Sequence, residues 1–171
     1  MRVAILTISD AGARGRREDL SGAEIERWAL DRGASVAARA LVADETVAIV
    51  RSLCAWCDAD DADLVLTTGG TGLSPRDVTP EATRAVIERE AIGIAELIRA
   101  RAMIAFPRAA LGRGVAGARG RTLVVNLPGS PSAVRDALAA LDAVIDHACD
   151  ILRGRVASHD AAPSGLTVSD R

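Results

Sequence analysis

The segment Thr67-Thr68-Gly69-Gly70-Thr71-Gly72 has a composition suited to holding an anion. Glycine permits positive φ and close backbone approach, so Gly69, Gly70 and Gly72 let successive amides converge on an oxygen-rich group, with the hydroxyls of Thr67, Thr68 and Thr71 beside them. Arg76, just beyond the loop, adds positive charge. A structural turn would account for a lone glycine pair, but three glycines and three threonines after an apolar run favour a phosphate-bearing ligand. Asp44 and Asp77 each precede a predicted helix. Capping is the ordinary use of an aspartate there, whereas two carboxylates at the same end of neighbouring strands also suit a magnesium ion that keeps several waters and substrate phosphates. Spacing alone leaves both uses open.

Such residues work only if strands and helices bring them together. Val3–Ile8 is a continuous apolar run ending at Ser9-Asp10 and predicts a buried strand. A polar loop follows, and a helix is expected from Ser21, whose spacing to Glu24 is that of a capping box, with Ile25, Trp28 and Ala29 on one face. Gly33 marks its stop and Val36–Val42 a second strand. Glu45–Cys57 has helical spacing, and Leu64–Thr68 is a strand feeding the glycine loop. Pro80 opens a helix with Ala82, Ala85, Val86 and Ile87, and Ile92–Ile104 is helical in period. Leu111–Arg121 suits an antiparallel excursion, Thr122–Leu127 is the last strand, and Ala133–Arg153 reads as one long helix closed by Gly154. The expectation is one domain over residues 1–154, a three-layer α/β/α sandwich on a mainly parallel sheet, with a flexible tail at 155–171. Ligands of such sheets sit beyond the carboxyl ends of the strands. Ser9 and Asp10, the loop from Thr67 to Asp77, and the turn Asn126 to Ser132 (Pro128, Gly129, Ser130, Pro131, Ser132) should therefore share one crevice.

Composition narrows the function classes. A length of 171 residues fits one domain with a full core. The formal charge is -2 and aromatics make up 2% of the chain, which gives nucleic-acid binding neither charge nor stacking surface. The apolar start is too short for a signal-peptide core or a membrane span, and three cysteines suit a reducing compartment, so a cytoplasmic protein is expected. Cys54 and Cys57 have redox-motif spacing but fall at a helix end, where thiol pKa values are not lowered, so packing is the expected role. A zinc site joining them to His147 and Cys149 is disfavoured because closed sites pair two ligand knuckles. Arg14, Arg16 and Arg17 more often form a solvated edge than a ligand contact, and His159 falls in the tail.

The stretch TTGGTGLSPRDVTPEAT from Thr67 to Thr83, with Ser9-Asp10, Ser21-Gly22, Asp44-Glu45 and NLPGSP at Asn126 to Pro131, resembles the MogA/MoaB family of molybdenum-cofactor biosynthesis. The likeness runs from about Arg2 to Arg153 in unbroken order. It implies a molybdopterin-binding α/β fold related to the gephyrin G domain and a homotrimer, with a hexamer as the larger alternative. In the MogA branch it implies magnesium-dependent transfer of AMP from ATP to molybdopterin with release of pyrophosphate. The family's functional aspartates match Asp44 and Asp77, implied as magnesium ligands, and its pterin and nucleotide contacts match the glycine loop and the Pro128 to Ser132 turn. Other cofactor-biosynthesis proteins are implied as partners. A MoaB-like protein that binds the pterin without transfer is the alternative. A relative of the competence-damage family would carry a second domain.

Overall fold

Strand β1 (Arg2–Ile8) is buried from Val3 to Ile8, and its alternate residues serve two different cores. In a computed structural model describing residues 1–156, β1 pairs in parallel with β2 (Ser35–Val42) and β3 (Leu64–Thr68), and β3 pairs in parallel with β6 (Thr122–Leu127). Strands β5 (Ala116–Arg119) and β4 (Arg89–Glu90) extend the sheet antiparallel, giving the order β2-β1-β3-β6-β5-β4. Val3, Ile5, Leu64, Leu66, Leu123, Val125 and Leu127 face helices α2 (Leu20–Asp31), α6 (Pro131–Leu141) and α7 (Ile145–Leu152). Ala4, Leu6, Ile8, Val65 and Val124 face α3 (Thr46–Asp58) and α4 (Thr79–Arg84). Helices thus cover both faces, and the expected three-layer sandwich is the fold found. No helix among the described residues is long and apolar enough to cross a membrane.

The amino edge of the sheet is tied by Asp63, which is buried at the foot of β3. Its carboxylate accepts the Arg2 amide at 2.7 Å and the Arg2 guanidinium at 3.0 Å, and it lies 2.8 Å from Nε of buried Arg153, off the line of a hydrogen bond. Arg153 also reaches the Ala62 carbonyl at 2.5 Å and pairs with Asp60. The chain just past α7 is thereby locked to the starts of β1 and β3.

Four expectations need correction. The helix after β6 starts at Pro131 rather than Ala133, and it is two helices. Asp142 is caught by Trp28 Nε1 at 2.9 Å and Arg32 at 2.5 Å, and Val144 leaves helical geometry at φ -132°. Helix α2 begins at Leu20 with Asp19 as its cap, accepting the Gly22 amide at 2.8 Å, while Glu24 pairs with Arg27 and Arg135 instead of closing a capping box. Helix α4 ends at Arg84, leaving Ala85 exposed and Val86 packed into the core beyond it. Within the polar loop, Asp10–Ala13 forms a short helix, α1. Helix α5 (Ile92–Ala105) forms as expected, yet none of its residues is buried, and a 3-10 turn at Pro107–Leu111 follows it. Gly154, at φ +66°, ends α7's last turn. Most of the expected tail and His159 lie outside the described residues.

Candidate active site

Parallel pairing of β2, β1, β3 and β6 puts their carboxyl ends on one edge, so the turns after them meet. The Thr68 hydroxyl donates to the Pro128 carbonyl at 2.7 Å, and the Ser9 amide donates to the Val42 carbonyl at 2.9 Å. The approach is close: a Cβ on Gly129 would lie 3.2 Å from the Gly69 Cα, and one on Gly69, whose φ is +97°, would lie 2.2 Å from the Ile8 carbonyl oxygen. Between these turns opens a cleft of about 380 Å³, a volume in the range of small-ligand sites. Ser9, Asp44, Gly69, Gly70, Gly129, Ser130 and Pro131 line it, together with Arg17, Glu18, Asp19, Leu20, Ser21 and Leu41. Ser130 caps α6, accepting the Ala133 amide at 3.3 Å, so the amino end of that helix and its partial positive charge face the cleft.

The glycine loop is polarised. Its carbonyls are engaged from within the protein: Gly69 by the Thr79 hydroxyl at 2.9 Å, Gly70 by the Thr79 amide at 3.1 Å, Thr71 by the Arg113 amide at 2.9 Å and Gly72 by Arg113 Nε at 2.6 Å. The amides of Gly70, Thr71, Gly72 and Leu73, by contrast, donate to no acceptor among the described residues. Undonated backbone amides at a partly buried site call for an external acceptor.

Two carboxylates flank this row. A Cβ on Gly70 would lie 3.0 Å from Asp44 Oδ1, and one on Gly72 would lie 2.8 Å from Asp77 Oδ2. Neither aspartate caps a helix. Asp77 Oδ2 accepts the Ser74 amide at 2.8 Å, and Asp44 Oδ2 accepts the Asp10 amide at 2.7 Å while Asp10 Oδ1 accepts the Asp44 amide at 3.2 Å. Arg76 closes on Asp10 with three contacts of 2.9 to 3.1 Å. Burial raises the Asp44 pKa, and the nearby charges of Asp10 and Asp77 add to the rise, outweighing the Asp10 amide bond. Partial burial pushes Asp10 the same way, but Arg76, the Asp44 amide and Arg14 hold its pKa below the usual value. Asp44 and Asp77 each keep one oxygen, Oδ1, that takes no hydrogen among the described residues. These two oxygens are acceptors of the hard kind magnesium takes when waters and phosphates complete its shell, and no group of three or more metal-ligating side chains gathers among the described residues.

Residues 4–147 match the family model described as a probable molybdopterin binding domain. The chain belongs to the molybdopterin-binding domain family. It is 38% identical over 156 residues to a molybdopterin adenylyltransferase of Helicobacter pylori, covering 90% of this chain and 89% of that one. To the Escherichia coli K12 enzyme of the same name it is 38% identical over 141 residues, 81% of this chain and 72% of that protein. The solved MoaB of Thermus thermophilus, described as a molybdopterin biosynthesis enzyme, superposes with a TM-score of 0.85 at 50% identity, over 90% of this chain and 96% of that one.

Within this molybdopterin-binding fold the singled-out residues divide by position. Ser9, Asp44, Gly69, Gly70, Gly129, Ser130 and Pro131 reach the cleft wall. Asp10, Gly72, Arg76 and Asp77 stand in the linked network beside it. The hydroxyls of Thr67 and Thr68 are not offered to a ligand: both residues are buried at the end of β3, Thr67 accepting from Asn126 Nδ2 at 2.9 Å and Thr68 holding Pro128. Thr71 contributes its unpaired amide, and Ser132 lies exposed on α6 outside the wall. Several lining residues were missed: Arg17, expected on a solvated edge, reaches the cleft with Glu18, Leu20, Ser21 and Leu41. Asp19 lines the cleft while accepting from Thr7 at 2.9 Å and Arg39 at 2.9 Å, and its place just ahead of a helix was the available signal. Arg113, a lone arginine between glycines, carried none.

The cysteines separate. Cys57 belongs to the core under α3, where burial pushes its thiol up to about 11, and Cys149 to the core under α7 on the other face, where burial pushes it to about 12. The sheet between them rules out a shared metal.

Proposed function

We propose that this protein is a molybdopterin adenylyltransferase of molybdenum-cofactor biosynthesis, joining AMP from ATP to the terminal phosphate of molybdopterin. A phosphate oxygen of the pterin attacks the α-phosphorus of ATP, the bond to the β-phosphate oxygen breaks, and pyrophosphate leaves. The chain needs no covalent nucleophile, because phosphoryl chemistry of this kind runs on positioning and charge neutralisation. The amides of Gly70 to Leu73 hold phosphate oxygens, and the amino end of α6 adds positive potential in the same cleft. Asp44 and Asp77 are the residues that would hold magnesium, which when bound neutralises phosphate charge. Asp10 keeps Asp44 in place through the reciprocal amide bonds, and Arg76 balances the acids. Ser9 and the Pro128 to Ser132 turn contact the pterin and nucleotide.

The observation that carries this reading is the row of undonated amides that starts at Gly70 in the wall of a ligand-sized cleft, with Asp44 in that wall and Asp77 beside it. The names of the Helicobacter and Escherichia relatives support it. The unpaired cysteines Cys54, Cys57 and Cys149 suit a cytoplasmic setting. Association between copies, proposed here as a homotrimer, is supported by Ile92 and Ile104 on α5 and by Phe106 and Leu111 after it, which stand exposed while Ile94 and Ile98 of the same helix pack half-buried against the core. The test is incubation with molybdopterin, ATP and magnesium, with chromatographic detection of adenylylated pterin. Folded protein that binds the pterin but forms no product would replace this reading with the MoaB-like binder.

A further inference from the structure

Arg113 lies between the 3-10 turn and β5, on a segment that reaches back over the glycine loop. Its amide and side chain gather carbonyls from both ends of that loop: Thr71 at 2.9 Å, Gly72 at 2.6 Å and Asp77 at 2.6 Å, the last from Nη2. Its remaining η nitrogen pairs with Glu81 on α4. In a trans peptide the N–H points away from the carbonyl of the same unit. Drawing the Thr71 and Gly72 carbonyls toward Arg113 therefore turns the Gly72 and Leu73 amides to the other side, where no internal acceptor waits. A glycine-rich segment has little stiffness of its own to keep those peptides from rotating.

Arg113 is itself braced. Arg99 on α5 donates to the carbonyls on either side of it, Gly112 at 3.1 Å and Gly114 at 3.3 Å. Gly114 sits so close to β6 that a Cβ there would lie 3.1 Å from the Asn126 carbonyl oxygen. A guanidinium suits this post because its planar fork meets several acceptors in fixed directions, which an ammonium on a flexible stem does not.

We propose that Arg113 is a positioning residue for adenylyl transfer: acting through the Thr71, Gly72 and Asp77 carbonyls, it fixes the loop amides and the Asp77 backbone while touching no substrate itself. The role rests on the transferase reading above, and the experiment separates the two. Arg113→Ala and Arg113→Lys are compared with wild type for kcat and KM of adenylylation and, by calorimetry, for binding of inorganic pyrophosphate. Loss of alignment is expected to lower kcat/KM about 100-fold in Arg113→Ala, with kcat itself falling. Pyrophosphate binding should weaken about tenfold. Arg113→Lys, which keeps the charge and the fold, should recover little of either. Millimolar guanidinium chloride, and not equal sodium chloride, should restore part of the Arg113→Ala activity, a response that general destabilisation does not produce. Arg113→Lys with wild-type kcat, KM and pyrophosphate affinity would overturn the role while leaving the transferase reading intact. Wild-type protein that makes no adenylylated pterin, alongside variants that bind pyrophosphate more weakly, would sink the transferase reading and keep the clamp.

Discussion

The two edges of the sheet use the same residue types to opposite ends. At the amino edge, Asp63, Arg2 and Arg153 are drawn into one another, and burial there is nearly complete for Asp63 and Arg153. At the carboxyl edge, Asp44 and Asp77 are each held by a single backbone amide, and the loop between them offers four amides with no internal acceptor. The first arrangement pairs its charges, with Arg153 Nε alone left off the line of a hydrogen bond, and so locks chain segments together. The second leaves donors and acceptors open in register, which costs stability and provides binding capacity.

The largest effect that would break this comparison is at the open edge. Asp77→Asn removes a charge beside the phosphate-facing amides but keeps an acceptor for the Ser74 amide, so the loop should survive. Adenylylation is expected to fall by about 100-fold or more, with the unfolding midpoint little changed. A variant that transfers AMP at the wild-type rate would remove Asp77 from the chemistry. At the closed edge the outcome should invert. Asp63→Ala leaves buried Arg153 without its buried anion, only the half-exposed Asp60 remaining, and should cost about 3 kcal/mol in urea denaturation, while the kcat of the remaining folded protein stays near wild type.

Acid titration sharpens the contrast, because the two aspartates shift in opposite directions. For Asp63, burial alone would raise the pKa, but the Arg2 amide and guanidinium and the Arg153 charge outweigh it, so the folded pKa lies below the unfolded one. Its stabilisation is complete above the unfolded carboxylate range and drains as pH falls through the folded value, so Asp63→Asn should flatten the acid limb of a stability-versus-pH curve. Asp44 has its folded pKa raised, chiefly by burial, and the sign reverses. Its ionised form is a burden above the folded pKa that protonation relieves as pH falls. Asp44→Asn should therefore raise the thermal midpoint modestly at neutral pH while abolishing transfer. A neutral-pH midpoint below that of wild type would contradict a strained, open carboxylate there.

How much of this could be read in the sequence depends on whether local chemistry or distant partners decide a feature. The strands were legible because β1, β3 and β6 are unbroken apolar runs, and the gathering of their turns follows from parallel pairing. The break between α6 and α7 was not legible: it accompanies Trp28 and Arg32 reaching Asp142 across more than a hundred residues. Ser21 and Glu24 have capping-box spacing, yet Asp19 takes the cap because its carboxylate is also fixed by Thr7 and Arg39. The threonines were half legible. Their place beside the loop was correct, but burial at the end of β3 turns the Thr67 and Thr68 hydroxyls inward. Arg113 was invisible because its partners are carbonyls, which every residue carries.

The smallest expected effect tests the open edge within a single turn. Ser130 and Ser132 are two residues apart, and the sequence assigns them one role. Ser130 lines the cleft and its hydroxyl caps α6, so Ser130→Ala should lower stability by about 1 kcal/mol and also disturb the helix end that faces the ligand. The side chain of Ser132 is exposed away from the cleft wall, and what that position offers a phosphate is its backbone amide, one of the unpaired donors of a helix's first turn. Ser132→Ala keeps that amide, so KM for ATP and for molybdopterin should both stay within about twofold of wild type, the size of change expected where no named interaction is lost. A KM rise well beyond that in Ser132→Ala, with Ser130→Ala silent, would mean that side-chain hydroxyls rather than backbone amides read the ligand at this wall.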